Sequence, residues 1–182
     1  QGDTVFSRIK RQPERLLPVG RLDKDSCGLL LLSNDGALIE RLTHPRHGHR
    51  KLYDVEVSGL RGAESGDRLR APMSLDGYRL RPVGISLLRQ HGGRARLRFV
   101  LSEGRNRQIR RMCAQAGLHV LNLKRIGIDH LRLGKLKSGA WRDLRPDEIS
   151  RWIQPETAEA PALATAIETG GGNVPSFDHA KP

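Results

Sequence analysis

The chain has 182 residues, 37% hydrophobic and 4% aromatic, with 32 Lys and Arg against 20 Asp and Glu, a formal net charge of +12 and a pI near 10.8. That length suffices for one globular core, and the charge points to a polyanionic partner reached through phosphate contacts. With no bilayer-length apolar run, no signal-peptide pattern and no long amphipathic helix with aromatic anchors, the expected partner is nucleic acid and not a membrane, in the cytoplasm. Cys27 and Cys113 stand far apart and outside any CxxC pair, which excludes a disulfide framework and a thiolate zinc site.

Thr4 to Arg11 reads as part of a short helix rather than a natural start, so a preceding portion is expected to be absent. Val19 to Asp23 reads as a short extended segment in which Arg21 and Asp23, two apart, point to one side. A guanidinium beside a carboxylate keeps the acid ionised where burial would protonate it. On spacing alone, such a pair is more often a structural ion pair than a catalytic one. The run Leu29 to Leu32 reads as a strand buried on both faces, which puts Asp23 at the rim of a packed core. Asp35 to Leu42 is predicted as a helix stopped before His44-Pro45, because the residue ahead of a proline avoids the helical region. The histidines of His44-Pro-Arg-His-Gly-His-Arg50 have spacings that a metal site uses, but the stretch reads better as a solvated or RNA-facing loop.

Tyr53, Val55 and Val57 alternate with polar neighbours and predict a half-buried strand, in which Tyr53 by pattern alone is a core residue. Asp76-Gly77 signals a turn into a second strand, Tyr78 to Leu88, and Gln90 to Gly93 turns the chain into a third. There Ala95, Leu97, Phe99 and Leu101 face one way and Arg94, Arg96 and Arg98 the other. Short connections imply antiparallel pairing, so the fold class is α+β with a mixed, mainly antiparallel sheet flanked by helices. Next comes a helix with Asn106 as N-cap and Gly117 as its stop, its core face formed by Ile109, Met112, Cys113 and Ala116. Arg107 and Arg111 then lie opposite the core, suited to phosphates, whereas Arg110 sits on the flank and can reach a cleft beside the sheet. His119 to Leu123 and Arg125 to His130 read as weak strands, Gly134 and Gly139 as turns, and Asp147 to Ile153 as a closing helix. Pro155 to Pro182, rich in Ala, Pro, Gly and Thr, reads as a disordered tail, which puts the domain boundary at 154.

Five segments come in the order seen in ribosomal pseudouridine synthases: Val-Gly-Arg-Leu-Asp (19–23), Gly-Leu-Leu-Leu-Leu-Ser-Asn-Asp-Gly (28–36), Lys-Leu-Tyr (51–53), Glu-Gly-Arg-Asn-Arg-Gln-Ile-Arg-Arg-Met (103–112) and Gly-Ala-Trp-Arg-Asp-Leu (139–144). From Thr4 to Ile153 the chain resembles the branch containing the small-subunit enzyme and large-subunit types B, E and F. The resemblance implies a pseudouridine synthase catalytic domain over residues 1–154. Such a domain isomerises a specific uridine in RNA by cleaving the bond from ribose C1′ to N1, rotating the base and rejoining C1′ to C5, with no metal and no organic cofactor. It carries the essential aspartate to Asp23, a nucleophile at the sugar or the base, and the arginine that holds this carboxylate as an anion to Arg21. Tyr53 becomes the aromatic that stacks on the target base, and Arg110 the arginine that pairs with the aspartate, in agreement with its flank position on the helix. Lys51, Arg94, Arg96, Arg98, Arg105, Arg107 and Arg111 are the expected RNA-binding residues.

The segments Asn-Arg-Gln-Ile-Arg-Arg-Met-Cys and Trp-Arg-Asp-Leu most resemble the type F enzyme, so large-subunit (23S) ribosomal RNA is the expected substrate, acted on by a monomer. Two features usual in the branch, an N-terminal S4-type RNA-binding domain and a strand with a Lys-Pro element, are not in this sequence. The competing readings are an RNA-binding protein that works by contact alone and a hydrolase using Asp23 with Asp25 or Asp35. The first is disfavoured by the presence of all four site residues, the second by the lack of metal-ligand clustering.

Overall fold

The computed structural model describes residues 5, 9, 15–60, 62–153 and 164–169. The helix expected over Thr4 to Arg11, apart from residues 5 and 9, and the tail segments 155–163 and 170–182 lie outside them. Eleven strands occur in the described residues: β1 (Leu17–Val19), β2 (Cys27–Ser33), β3 (Lys51–Ser58), β4 (Ser74–Leu75), β5 (Tyr78–Arg79), β6 (Gly84–His91), β7 (Arg94–Leu101), β8 (His119–Ile128), β9 (Leu131–Arg132), β10 (Trp141–Asp143) and β11 (Ala164–Thr169). With them are the helices α1 (Gly36–Thr43), α2 (Gly62–Arg70), α3 (Gln108–Gln115) and α4 (Pro146–Ser150). No described helix is long and apolar enough to cross a membrane.

The main sheet runs β10-β11-β2-β8-β3-β7-β6, with β1 beside β2 and β9 beside β8. Every pairing in it is antiparallel except β2 with β8, the mixed, mainly antiparallel sheet that the short connections imply. One departure lies in the expected tail, where residues 164–169 add β11 along Gly28–Ser33 of β2. This satisfies backbone groups that an open strand edge leaves unpaired. A second lies at Tyr78 to Leu88, which is not one strand, because the stretch around Pro82 separates β5 from β6 and proline has no N–H for a ladder. The two weak strands expected over 119–130 are the single strand β8, with irregular register against β3.

The feature that positions the site is a fork. One edge of β2 is taken by β11, so β8 and β1 share the other: β8 pairs only at Cys27 and Gly28, and β1 takes over at Leu31–Ser33. The loop joining β1 to β2 sits where the two diverge. Gly28 permits the approach, since at φ +110° a Cβ there would lie 2.2 Å from the carbonyl oxygen of Arg125. As expected, β2 is buried on both faces, Leu29 and Leu31 packing with α1, α4 and Ile128, Leu30 and Leu32 with Leu16. A second core joins Val55, Leu97 and Phe99 to Ile109, Met112, Cys113 and Ala116 along α3, the helix face read from the spacing. Helix α2 has no counterpart in the sequence reading. Its Gly-rich stretch has weak helical propensity, and Leu69 joins that second core.

Candidate active site

A cleft of about 430 Å³ opens at the fork, between the two cores: Val19, Leu42 and Ile128 belong to one wall, Leu101, Ile109 and Leu123 to the other. Asp23, Arg21, Tyr53 and Arg110, distant in sequence, all line it, together with Lys51, Arg105 and Arg107.

Residues 21–26 form a loop, not the extended segment expected, because the chain turns at Gly20 (φ +80°) and again at Lys24–Asp25. Two-residue alternation therefore does not apply, and among the described residues no ion pair joins Arg21 to Asp23. Arg21 is exposed and Asp23 half-buried. The loop is held from beneath instead. The Asp23 carbonyl accepts the Ser26 N–H at 2.9 Å. The guanidinium of Arg125, 2% exposed, donates from Nη1 to the Arg21 carbonyl at 3.3 Å and from Nε to the Leu29 carbonyl at 2.7 Å. Sequence reasoning missed Arg125. Its signal was a charge in phase with the apolar positions Leu123 and Gly127, on the face of β8 that is buried.

On the opposite wall α3 begins one residue later than expected, with Arg107 as N-cap at φ +48° in place of Asn106. The approach to it is pinned by buried Glu103, whose carboxylate accepts from Arg81 N–H (3.0 Å), Gln108 Nε2 (3.1 Å) and Tyr78 Oη (3.2 Å). Arg107 grips Asp25 with both terminal nitrogens at 2.9 and 2.8 Å, which holds that carboxyl below its usual range. Arg110 Nη2 donates to the Asp25 carbonyl, and Nε lies 3.3 Å from the Asp25 carboxylate without hydrogen-bond alignment. Thus the helix arginines engage the Asp23 loop through Asp25, with Asp23 itself open to the cleft. Arg111 does not line the cleft; it forms a bidentate pair with Asp76 at 2.8 and 2.6 Å. Arg107 and Arg111, read as suited to phosphates, are already paired with carboxylates through exposed contacts.

The third wall is the start of β3. Lys51 is driven toward its neutral form by burial and by the charge of Arg125, with Asp129 opposing. His49, just ahead of β3, hydrogen-bonds through Nδ1 to Asp129 Oδ2 at 2.6 Å.

Four buried side-chain polar atoms lack a hydrogen-bond partner among the described residues: Ser26 Oγ, His49 Nε2, Arg110 Nε and Arg125 Nη2. All four belong to residues that line this cleft. Folded proteins pair nearly all such atoms, so their gathering in residues around one cleft marks it as a place where water or a polar ligand completes the bonding.

Residues 6–115 match the family described as RNA pseudouridylate synthase. The chain belongs to the RNA pseudouridylate synthase family. It is 37% identical over 148 residues to an uncharacterised RNA pseudouridine synthase of Aquifex aeolicus, covering 81% of this chain and 59% of that one. To ribosomal large subunit pseudouridine synthase B of Bacillus subtilis it is 37% identical over 149 residues, 81% and 61% of the two chains. To ribosomal large subunit pseudouridine synthase E of Xanthomonas axonopodis pv. citri it is 41% identical over 139 residues, 68% and 73%. A crystal structure of a pseudouridylate synthase superposes with a TM-score of 0.71 at 29% identity, covering 82% of this chain and 65% of that one. The chain spans about three-fifths of the length of the first two of these relatives.

Within this pseudouridylate synthase fold three further expected RNA contacts, besides Arg111, stand apart from the cleft. Arg94, Arg96 and Arg98 project from the face of β7 opposite Ala95, Leu97 and Phe99, and so away from Tyr53, which pairs with Phe99. Arg96 and Arg98 close on Asp54 at 2.6 and 3.0 Å, and Arg94 lies 3.9 Å from Glu56. The alternation read from the sequence was right; that its charged face lies behind the site could not be told until β3 and β7 were paired. No group of His, Cys, Asp and Glu fit to hold a metal occurs among the described residues. The histidine-rich loop instead makes local contacts: His44 accepts the Arg46 N–H at 3.2 Å, and His47 accepts Arg46 Nε at 3.0 Å.

Proposed function

We propose that this chain is an RNA pseudouridine synthase that isomerises a specific uridine of large-subunit ribosomal RNA, with Asp23 as its nucleophile and no cofactor. The observation that carries the reading is the convergence of Asp23, Tyr53 and Arg110 on one cleft, whose lining residues also own the four unpartnered buried side-chain polar atoms of the described residues. The names of the relatives from Bacillus subtilis and Xanthomonas axonopodis favour the large ribosomal subunit, and a ribosomal substrate implies the cytoplasm.

A stacked uridine cannot reach Asp23, so the nucleotide is extruded into the cleft at a cost of a few kcal/mol, of which stacking on Tyr53 returns about 1–3 kcal/mol. Lys51, Arg105 and Arg107 at the cleft meet the flanking phosphates. Asp23 forms a covalent bond to the nucleotide as C1′–N1 breaks. The base turns, C1′–C5 forms, the bond to Asp23 breaks, the proton leaves C5 and N1 gains one, so Asp23 is regenerated and the isomerisation is balanced without an external reagent. Arg107 and Arg110, both bound to Asp25, hold the loop that presents Asp23. The test is tritium release from C5-labelled uridine in ribosomal RNA, with mapping of the modified position. Asp23→Asn is expected to bind RNA nearly as the unaltered protein does and to abolish release. Full isomerisation by that variant removes the assignment.

A further inference from the structure

Beyond that reading, and resting on it for the identity of the ligand as RNA, we propose that His49 is an RNA-contact residue: its Nε2 accepts a hydrogen bond from a ribose 2′-hydroxyl on the strand that flanks the nucleotide in the cleft. His49 lines the cleft, its side chain is 14% exposed, and Nε2 is buried without a partner. The other ring nitrogen is committed to Asp129. That carboxylate is itself fixed, accepting Trp152 Nε1 at 2.8 Å and the Arg50 N–H at 2.7 Å, while the Asp129 N–H returns a bond to the Arg50 carbonyl at 2.7 Å. Trp152 and Ile128 belong to the core behind it. An imidazole whose Nδ1 faces a carboxylate carries its proton there, so the neutral ring presents an oriented lone pair at Nε2.

The spacing says which part of the RNA meets that lone pair. His49, Lys51 and Tyr53 all line the cleft, and the bond from Asp129 N–H to the Arg50 carbonyl anchors the chain just ahead of the Lys51–Ile128 pair of β3 and β8. Lys51 and Tyr53 lie about 6.6 Å apart along β3, and His49 lies beyond Lys51, just ahead of the strand. His49 thus lies past Lys51 from a base stacked on Tyr53, and is assigned to the sugar–phosphate strand, not the target base. A phosphate oxygen offers only acceptors and is served by Lys51 and Arg105; the 2′-hydroxyl is the donor that this backbone supplies. Asp129 acts through His49 as a positioning residue.

The test compares unaltered protein, His49→Ala and His49→Gln in binding to a synthetic RNA hairpin with one loop uridine. Copies of the hairpin carry a single 2′-deoxy substitution at that uridine or at one of its neighbours. For the unaltered protein, one neighbouring position is expected to weaken the dissociation constant by about three- to tenfold. In His49→Ala that penalty vanishes while penalties elsewhere remain, and His49→Gln, which keeps an amide near Nε2, restores part of it. Each variant is compared with itself on two RNAs, so a lower folded fraction cancels. Equal penalties in unaltered protein and His49→Ala, or no penalty at any neighbour in the unaltered protein, overturn the assignment. Because the readout is binding, it stands apart from the tritium assay: absent release strikes the isomerase reading, unchanged deoxy penalties strike His49.

Discussion

Arg125 illustrates how a single residue is retained against its own stabilising interest. A guanidinium at 2% exposure with one unpaired nitrogen and no carboxylate partner among the described residues is a costly thing to bury. What it does is tether the Arg21 carbonyl, and through it the loop that presents Asp23. Arg125→Met is therefore expected to leave the melting temperature unchanged or raised, while single-turnover isomerisation falls about a hundredfold, since displacement of a reacting group by about 1 Å costs that much. A variant that melts early and keeps its turnover contradicts this division. The Asp23→Asn variant separates from it by losing chemistry with the loop still tethered.

Two elements carry the fork and its far side. The close approach of β2 to β8 depends on Gly28, where added atoms meet backbone rather than a side chain that can swing away. Gly28→Ala is expected to cost at least about 2 kcal/mol of stability, read as a lower urea midpoint, because both the positive φ and the clash must be relieved. At the other end of the sheet β10 is joined to α4 by Arg142, whose terminal nitrogens reach Glu148 at 2.8 and 2.7 Å. That hydrogen-bonded pairing pulls the Glu148 carboxyl down from 4.5 to about 2. A depressed acid stabilises the fold fully above its unfolded value and stops doing so as pH falls through its folded one. Thermal melts should show the contribution lost between pH 4.5 and about 2, and Glu148→Gln, which lacks it throughout, should have a shallower acid limb over that window.

Across the whole molecule a net charge of +12 makes RNA affinity salt-dependent, but the arginines do not share the effect equally. Arg105 lines the cleft, its guanidinium 3.5 Å above the Tyr78 ring, and has no carboxylate partner among the described residues. Arg96 sits on the opposite face, where it shares the Asp54 carboxylate with Arg98. Arg105→Ala is expected to reduce the slope of log affinity against log salt by about 0.7–0.9, the increment for one phosphate contact. Arg96→Ala should leave the slope unchanged. Titrations at several ionic strengths decide it, and a slope change with Arg96→Ala would place RNA on both faces of the sheet.

What periodicity and local signals control was legible without coordinates: the strand buried on both faces at Leu29–Leu32, the core face of α3, the stop at Gly117, the flank position of Arg110 and the mainly antiparallel sheet. These follow from nearest-neighbour geometry along the chain, and the ordered motifs added the family. The fork between β1, β2 and β8, the tether from Arg125, the placement of Arg94, Arg96 and Arg98 behind the site, the pairing of Arg107 with Asp25 and the joining of His49 to Asp129 were decided only in three dimensions. Each depends on which segments far apart in sequence become neighbours, and a charged side chain takes whichever partner the packing brings within reach.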